Sequence, residues 1–171
     1  VGHDGSYAGL VAVPTGKNTY NVFGSSSPTC AVSSIPAAYT KLADNVQGPV
    51  DFATLNGSLP TAVAPTDLAG VCVPADSTYR NGRIRYYRGI IRAVNDASGN
   101  KRTVNVVNIE GYLRGVVPRE SPAGWGDLAG GLGMNALRAQ AVAARSYAAS
   151  ESRYSWAKTC DTQDCQVYGG A

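Results

Sequence analysis

Histidine is nearly missing from this chain of 171 residues, which contains a single one, His3. A Ser/His/Asp or Cys/His catalytic arrangement requires a histidine base, and we expect the lone His3 to be a surface residue rather than a ligand. The metalloprotease HExxH pattern, the P-loop and the dinucleotide-binding glycine fingerprint are also missing from the sequence. The sequence therefore argues against histidine-dependent hydrolases, zinc proteases of that type and nucleotide-dependent enzymes.

Charged residues are few, at 16% of the chain. No apolar run approaches the roughly 20 residues that are needed to cross a bilayer. The hydrophobic content of 44% is typical of a globular protein with a buried core. The sequence does not open with a basic segment followed by an apolar one, so we expect a mature or trimmed form without a transmembrane segment.

The few charges are unevenly distributed along the chain. Residues 1–80 carry three basic and five acidic side chains, whereas residues 81–171 carry twelve basic and seven acidic ones. A basic surface in the second half would suit a polyanion such as the cell wall, and ordinary solvated charge explains the bias equally well. Nucleic acid is not an expected partner, because the arginines are spread out and no nucleic-acid-binding motif is present.

The cysteines number four: Cys30, Cys72, Cys160 and Cys165. An even number in a chain of low charge suits an exported protein, and four cysteines allow three pairings. Proximity in the sequence favours a disulfide between Cys160 and Cys165, which leaves Cys30 to pair with Cys72. The alternative for Cys160 and Cys165 is zinc, which thiolates of this spacing could help to bind.

Residues 1–80 are rich in Gly, Ser, Thr, Pro and Ala, which predicts short strands and long loops. The expected strands include residues 10–13, 20–23 and 71–73. A short helix is expected over residues 35–43, where a proline at the first turn is followed by alanines. We found no candidate chemistry in this half, which we treat as a separate lobe.

Residues 81–171 show a clearer pattern. Apolar and β-branched residues predict a hairpin of residues 83–94 with 102–109, bent at Gly89. A short helix should begin at residue 109 or 110 and stop before Pro118, since a proline disfavours helix in the residue before it. The glycine-rich segment 124–133 predicts a loop.

A long helix is predicted after this loop, over residues 136–156, with Asn135 as its N-cap. Seven alanines lie between residues 136 and 149, and alanine is the strongest helix former. Four residues fall on one stripe of this helix: Leu137, Ala141, Ala144 and Ala148. The predicted class is α+β, with a β-rich first part and a hairpin packed with this alanine-rich helix.

Glu120 is the candidate general acid. It lies between Pro118 and Pro122 and beside the glycine-rich segment. A rigidly mounted carboxyl next to a loop suits proton transfer to a substrate. The alternative is an ordinary surface glutamate that pairs with Arg114 or Arg119.

Polar and aromatic groups near this glutamate and around the last cysteines are candidates for sugar binding. Sugar hydroxyls require hydrogen-bonding partners, and a sugar ring can pack on an aromatic face. The candidates are Trp125, Asp161, Thr162, Gln166 and Tyr168.

Three segments in this order resemble the stage II sporulation protein D / amidase-enhancer family of cell-wall proteins. They are residues 112–122 (YLRGVVPRESP), 136–147 (ALRAQAVAARSY) and 160–168 (CDTQDCQVY). The resemblance covers about residues 83–170 and implies a bacterial, secreted protein whose residues 81–171 form the catalytic region. The family's homology region usually continues past the last segment, so we expect a fragment or a shortened member.

The family includes lytic transglycosylases, so the resemblance implies cleavage of peptidoglycan glycan strands, with a cell-wall amidase as a possible partner. It implies that Glu120 is the acid in a glycan-binding cleft and that Arg145 lies there to position substrate. Gln140 of the same segment is expected to be structural. Some members bind zinc with a histidine just before the last segment; this chain has none there, so a disulfide and no cofactor are expected.

Two other functions stay open. The first is a noncatalytic module that binds peptidoglycan or enhances a cell-wall amidase. The second is a purely structural surface domain, which would show no affinity for glycan. Activity that is lost in Glu120→Gln with unchanged glycan binding would separate the enzyme from both.

Overall fold

A computed structural model of the protein describes residues 7–27, 30, 35, 37–54, 67–73 and 83–171. His3 lies outside the described residues. The described residues form eight strands: β1 (Gly9–Gly16), β2 (Thr19–Ser25), β3 (Thr40–Gln47), β4 (Val50–Ala53), β5 (Ala69–Val73), β6 (Arg83–Tyr87), β7 (Ile90–Asn95) and β8 (Lys101–Val106). They also form two α-helices, α1 (Ile109–Glu120) and α2 (Met134–Ser150), and 3-10 turns over Ala123–Gly131.

The strands pair in three sheets, with the orders β1-β2-β3, β4-β7-β8 and β5-β6. Together with the helices they confirm the α+β class, whereas the glycan-binding cleft stays a prediction. The first sheet is antiparallel, with Gly24 of β2 opposite Thr40 of β3. The predicted helix over 35–43 is wrong, because residues 40–43 belong to β3, where pairing with β2 outweighs the local helix preference. Predicted strands are confirmed at 10–13, 20–23 and 71–73.

The predicted hairpin is confirmed by β7 and β8, which are neighbours in one sheet. The bend at Gly89 is sharper than predicted and separates β6 from β7. Gly89 has a φ of +81°, and a Cβ at this position would overlap the backbone of Val106. The conformation and the close approach both require glycine, which explains why one apolar run becomes two strands.

Helix α1 continues through Pro118 to Glu120, so the predicted stop before the proline is wrong. The ring removes only the one backbone hydrogen bond that residue 118 would donate. The Ser121 N–H still donates to the Val117 carbonyl at 2.9 Å and closes the helix. At the other end, the Asn108 side chain accepts a hydrogen bond from the Gly111 N–H at 2.7 Å. The proline therefore ends up inside the helix, two residues before the candidate acid.

The alanine-rich helix exists but is shorter than predicted. It begins at Met134 with Gly133 as its N-cap, so Asn135 lies inside it and is not the cap. It ends at Ser150 instead of about residue 156, with extended backbone at the cap residue Glu151. The predicted loop before it is partly ordered in the 3-10 turns, which are interrupted at residues 128–130.

A single cluster of buried side chains joins the two helices to the last residues of the chain. Its members are Tyr112, Leu113, Val116, Ala144, Ala148 and Tyr168. The predicted stripe of α2 faces this cluster, with Ala144 and Ala148 buried and Leu137 and Ala141 half-buried. The small alanine side chains let α1 approach closely, and Val116 of α1 is fully buried.

The described chain divides into two compact units. The first contains the described residues of the ranges 1–52, 70–85 and 91–104. The second contains those of 53–69, 86–90 and 105–171, and so includes both helices and the buried cluster. The predicted boundary between residues 80 and 81 stays a prediction.

The predicted disulfide pairing is confirmed, with Cys30 bonded to Cys72 and Cys160 bonded to Cys165. The paired residues are separated by 42 positions in the first bond and by 5 in the second. A crosslink reduces the entropy of the unfolded chain more when it closes a longer loop.

Removing the first bond should therefore destabilise the protein more than removing the second. We expect the free energy of unfolding to fall by about 4 kcal/mol in Cys30→Ser/Cys72→Ser and by about 2 kcal/mol in Cys160→Ser/Cys165→Ser. Urea denaturation of both double variants would measure the difference. A larger loss in the second variant would contradict the argument from loop length.

Candidate functional site

Glu120 is held at both of its carboxylate oxygens. The Gln140 side-chain amide of α2 donates to Oε2 at 2.6 Å, and the backbone N–H of Val167 donates to Oε1 at 3.1 Å. The glutamate is half-buried. The two donors come from different parts of the chain and fix the carboxylate plane. Arg119 was one of the two arginines predicted to pair with Glu120 as a surface residue. Its guanidinium lies against Gly169 instead.

The position of Glu120 in α1 explains why these donors matter. It is the last residue of the helix, where the backbone carbonyls create partial negative charge. A carboxylate is disfavoured at that end unless hydrogen-bond donors offset the repulsion. Two donors hold the glutamate at this unfavourable position, which indicates that its carboxylate has a function other than contact with solvent.

The segment 166–171 brings Val167 to this helix end. The Gly169 N–H donates to the Gly115 carbonyl at 3.1 Å, and the Ala171 N–H donates to the Tyr86 carbonyl at 2.8 Å. A Cβ on Gly115 would overlap both the Gly170 carbonyl oxygen and the Tyr168 ring. The glycine in the middle of α1 therefore allows the segment to run directly against the helix.

Two residues predicted to bind sugar, Gln166 and Tyr168, lie in the core, with 6% and 7% of their surface exposed. The Tyr168 hydroxyl donates to the Asn105 side chain at 2.6 Å, and its ring stacks on Tyr112 with centroids 5.2 Å apart. The Tyr112 hydroxyl donates to Gln166 Oε1 at 3.1 Å. Because these polar groups already have protein partners, the geometry favours a supporting role for both residues.

Burial raises the pKa of Tyr112 to about 12, and the nearby negative charge of Glu120 contributes to the rise. Tyr112 therefore keeps its proton at neutral pH and remains a hydrogen-bond donor. The hydroxyl thus supports Gln166, which precedes Val167 in the chain.

The structure does not bring Arg145 to Glu120. Arg145 forms an ion pair with Glu110 in the first turn of α1, and both side chains are exposed. Ten residues of helix separate Glu110 from Glu120, which corresponds to about 15 Å along the axis. The contact of Arg145 with substrate stays a prediction. Arg145 lies beside the end of α1 that is far from the candidate acid.

The remaining candidates for substrate contact are exposed. Trp125 lies in the 3-10 turns with 47% of its surface exposed. Asp161 and Thr162 lie on the surface of the loop between Cys160 and Cys165. All three side chains are accessible, and their role in binding sugar stays a prediction.

Sequence reasoning missed the two donors to Glu120. Gln140 was expected to be structural, whereas its side chain donates a hydrogen bond to the candidate acid. A lone amide among alanines was the available signal. The Val167 donor is a backbone group, for which the side-chain pattern of a sequence contains no signal.

No described group of three or more His, Cys, Asp and Glu residues is arranged to hold a metal ion. Cys160 and Cys165 are joined to each other, so neither sulfur is the thiolate that zinc requires. The absence of a cofactor stays a prediction. Among the described helices, none has the length and apolarity needed to cross a membrane.

The family model for stage II sporulation protein (SpoIID) matches residues 97–171. No curated protein and no solved structure gives a match. The matched segment contains both helices, Gln140 and the segment that supplies Val167, and it relates the chain to sporulation and the cell wall. The resemblance predicted from the three sequence segments is confirmed by this match: residues 97–171 are similar to the stage II sporulation protein family.

Proposed function

We propose that the protein is a peptidoglycan lytic transglycosylase in which Glu120 is the single acid and base. One observation carries the proposal: Glu120 is bound on both oxygens by neutral donors from two elements. Several other described carboxylates are instead bound to cations, in the pairs Lys41–Asp44, Arg92–Asp51, Arg102–Asp96, Arg145–Glu110 and Arg153–Glu151. None of these ion pairs of the described residues includes Glu120, whose two donors are a side-chain amide and a backbone N–H.

In the proposed reaction, protonated Glu120 transfers its proton to the glycosidic oxygen between N-acetylmuramic acid and N-acetylglucosamine. The bond from C1 of the muramic residue to this oxygen breaks. The 6-hydroxyl oxygen of the same residue then bonds to C1, and the hydroxyl proton returns to Glu120. The products are a 1,6-anhydro-muramic end and a free 4-hydroxyl, and no water is consumed.

The side chain of Gln140 suits both states of this acid. Its NH₂ group donates to the ionised carboxylate, and after rotation of the amide its carbonyl oxygen can accept from the protonated form. The Val167 N–H fixes the other oxygen. Glu120 would thus stay in one place while its proton leaves and returns.

A hydrolytic mechanism requires a second carboxylate, about 5–5.5 Å away for retention or 6.5–9.5 Å away for inversion. Glu110 is about 15 Å away along α1 and is paired with Arg145. The proposed internal attack by the 6-hydroxyl needs no second carboxylate. Glu110 therefore does not supply the second carboxylate that hydrolysis requires, which supports the lytic reaction.

A second function, a noncatalytic module that binds peptidoglycan or enhances an amidase, is favoured by a separate observation. Large apolar side chains are exposed in the segment that follows Glu120: Trp125, Leu128, Leu132 and Met134. Exposed apolar groups near one another are typical of interaction surfaces. The two disulfides support an oxidising, extracytoplasmic location for either function.

The test is mass spectrometry of purified glycan strands, with and without stem peptides, after incubation with the protein. Anhydro-muramic ends that wild type makes and Glu120→Gln does not would support the proposal, with Glu110→Gln as the matched control that leaves Glu120 and its two donors in place. Reducing ends would indicate hydrolysis and a second carboxylate. Binding without cleavage would favour the module, and no binding at all would favour a structural domain.

Gln140→Ala should lower the turnover of glycan by about tenfold to a hundredfold, because a hydrogen bond to a charged group contributes roughly 1.5–3 kcal/mol. The matched control is Arg138→Ala on the same helix, since Arg138 is exposed and bonds to the side chain of Asn135. Turnover measured by release of anhydro-muramic ends would check both. Equal rates for wild type and Gln140→Ala would remove Gln140 from the site.

A further inference from the structure

The loop just before Val167 is closed by a disulfide and braced by an arginine. Cys160 and Cys165 are bonded, and the Cys160 N–H also donates to the Cys165 sulfur at 3.2 Å. Arg153 Nη1 donates to the Asp164 carbonyl at 3.0 Å and to the Cys165 sulfur at 3.0 Å. Val167 follows Cys165 by two residues, so the braced loop ends almost at the donor to Glu120.

The residues before and after Val167 are both fixed by the buried core. Gln166 is tied to the Tyr112 hydroxyl and Tyr168 to the Asn105 side chain. These two side chains set the direction of the segment. The disulfide loop fixes the position of Cys165, and with it that of Val167, because Gln166 alone separates the two residues.

We propose that the disulfide-closed loop of residues 160–165, braced by Arg153, is a positioning element for Glu120. It acts through the Val167 N–H, which it holds at the Oε1 oxygen. Without the bond between the sulfurs, few backbone hydrogen bonds restrain residues 151–165, among them those of Arg153 N–H to the Lys158 carbonyl and Cys165 N–H to the Thr162 carbonyl. A displacement of about 1 Å at a catalytic group is enough to lower a rate by about a hundredfold.

This role differs from stabilisation of the fold. The loop is short, so its closure constrains the unfolded chain less than the bond between Cys30 and Cys72 does. A purely stabilising crosslink would affect activity in proportion to the folded fraction. A positioning element instead changes the hydrogen bond at Glu120, and the turnover, in protein that is still folded.

The direct measurement is the ¹H–¹⁵N signal of the Val167 amide. A hydrogen bond to a carboxylate shifts this proton downfield, and Glu120→Ala gives the reference position without the bond. In Cys160→Ser/Cys165→Ser we expect the signal to move from the wild-type position towards that reference. In the matched control, Cys30→Ser/Cys72→Ser, it should stay at the wild-type position. An unmoved signal in the folded Cys160→Ser/Cys165→Ser protein would overturn the inference.

The effect on catalysis rests on the proposed function, and the two can fail separately. We expect Cys160→Ser/Cys165→Ser to lower kcat by about tenfold to a hundredfold with little change in KM, because the element acts on the acid and not on substrate affinity. If wild type cleaves no glycan, the proposed function fails, while the Val167 signal still decides the positioning role. An unchanged kcat in folded double variant would also overturn the inference.

Arg153 gives a second route if the double variant does not fold. Arg153→Met removes the donors to Asp164 and Cys165 and leaves the disulfide in place. We expect a partial shift of the Val167 signal in Arg153→Met and a smaller one in Arg153→Lys, which restores one donor. Wild-type positions in both variants would show that the arginine does not brace the loop and would overturn this part of the inference.

Discussion

Replacing Glu120 with glutamine should lower the rate of glycan cleavage by about 10²–10⁴-fold, the usual contribution of a general acid and base. Glutamine has the shape of glutamate but no transferable carboxyl proton. It can still accept the hydrogen bond from Val167 at its carbonyl oxygen. We therefore expect the free energy of unfolding to change by less than about 1 kcal/mol.

Glu110→Gln is the control for this variant, because it changes the same residue type in the same helix. Glu110 is exposed and paired with Arg145, so its replacement should change the free energy of unfolding by no more than about 1 kcal/mol, as is usual for surface ion pairs, and should leave Glu120 with both of its donors. Release of anhydro-muramic ends and thermal unfolding would be measured on all three proteins. A Glu120→Gln protein that keeps wild-type turnover would exclude Glu120 as the acid.

Replacing Tyr168 with alanine should lower the free energy of unfolding by about 3–5 kcal/mol, which is typical of a buried aromatic residue cut to alanine. Tyr168 packs on Tyr112 and Tyr87 and is hydrogen-bonded to Asn105. For a chain of this length, such a loss corresponds to a fall in Tm of about 6–20 °C. Calorimetry of the purified variant would measure it.

The matched control is Tyr154→Ala, because Tyr154 is also stacked on an aromatic ring, that of Trp156, but is 38% exposed. It should lose no more than about 1 kcal/mol, as stacking adds about that amount beyond burial. Tyr168→Phe should fall between the two, since it keeps the ring and loses one hydrogen bond. Similar Tm values for Tyr168→Ala and Tyr154→Ala would show that the last segment contributes little to the core.

Local patterns predicted much of the fold. The hairpin of β7 and β8 and the alanine-rich helix with its buried stripe follow from features of neighbouring residues. The pairing of the cysteines follows from the short spacing of Cys160 and Cys165, which leaves Cys30 for Cys72. The errors have two causes: a tertiary contact that outweighs local preference, and a helix that tolerates a proline. Residues 40–43 became strand because β2 pairs with them, and α1 passed through Pro118 because one lost hydrogen bond is tolerated near a helix end.

The candidate acid could be named from sequence, but its surroundings could not. Glu120 was indicated by its prolines and by the family resemblance. Its partners depend on which residues the fold brings to the end of α1, and one of them is a backbone group. The same limit explains Arg145, which the resemblance placed near Glu120 and which the structure pairs with Glu110.

The two donors that hold Glu120 are distant from it in sequence, by 20 residues for Gln140 and by 47 for Val167. Contacts between distant residues form later in folding than the turns of a helix, because a long loop must first be closed. During synthesis or refolding, residues 109–120 can therefore become helical before either donor reaches Glu120. Glu120 is held by both donors only when the last segment has joined the helix, so the candidate acid is without them for as long as folding is incomplete.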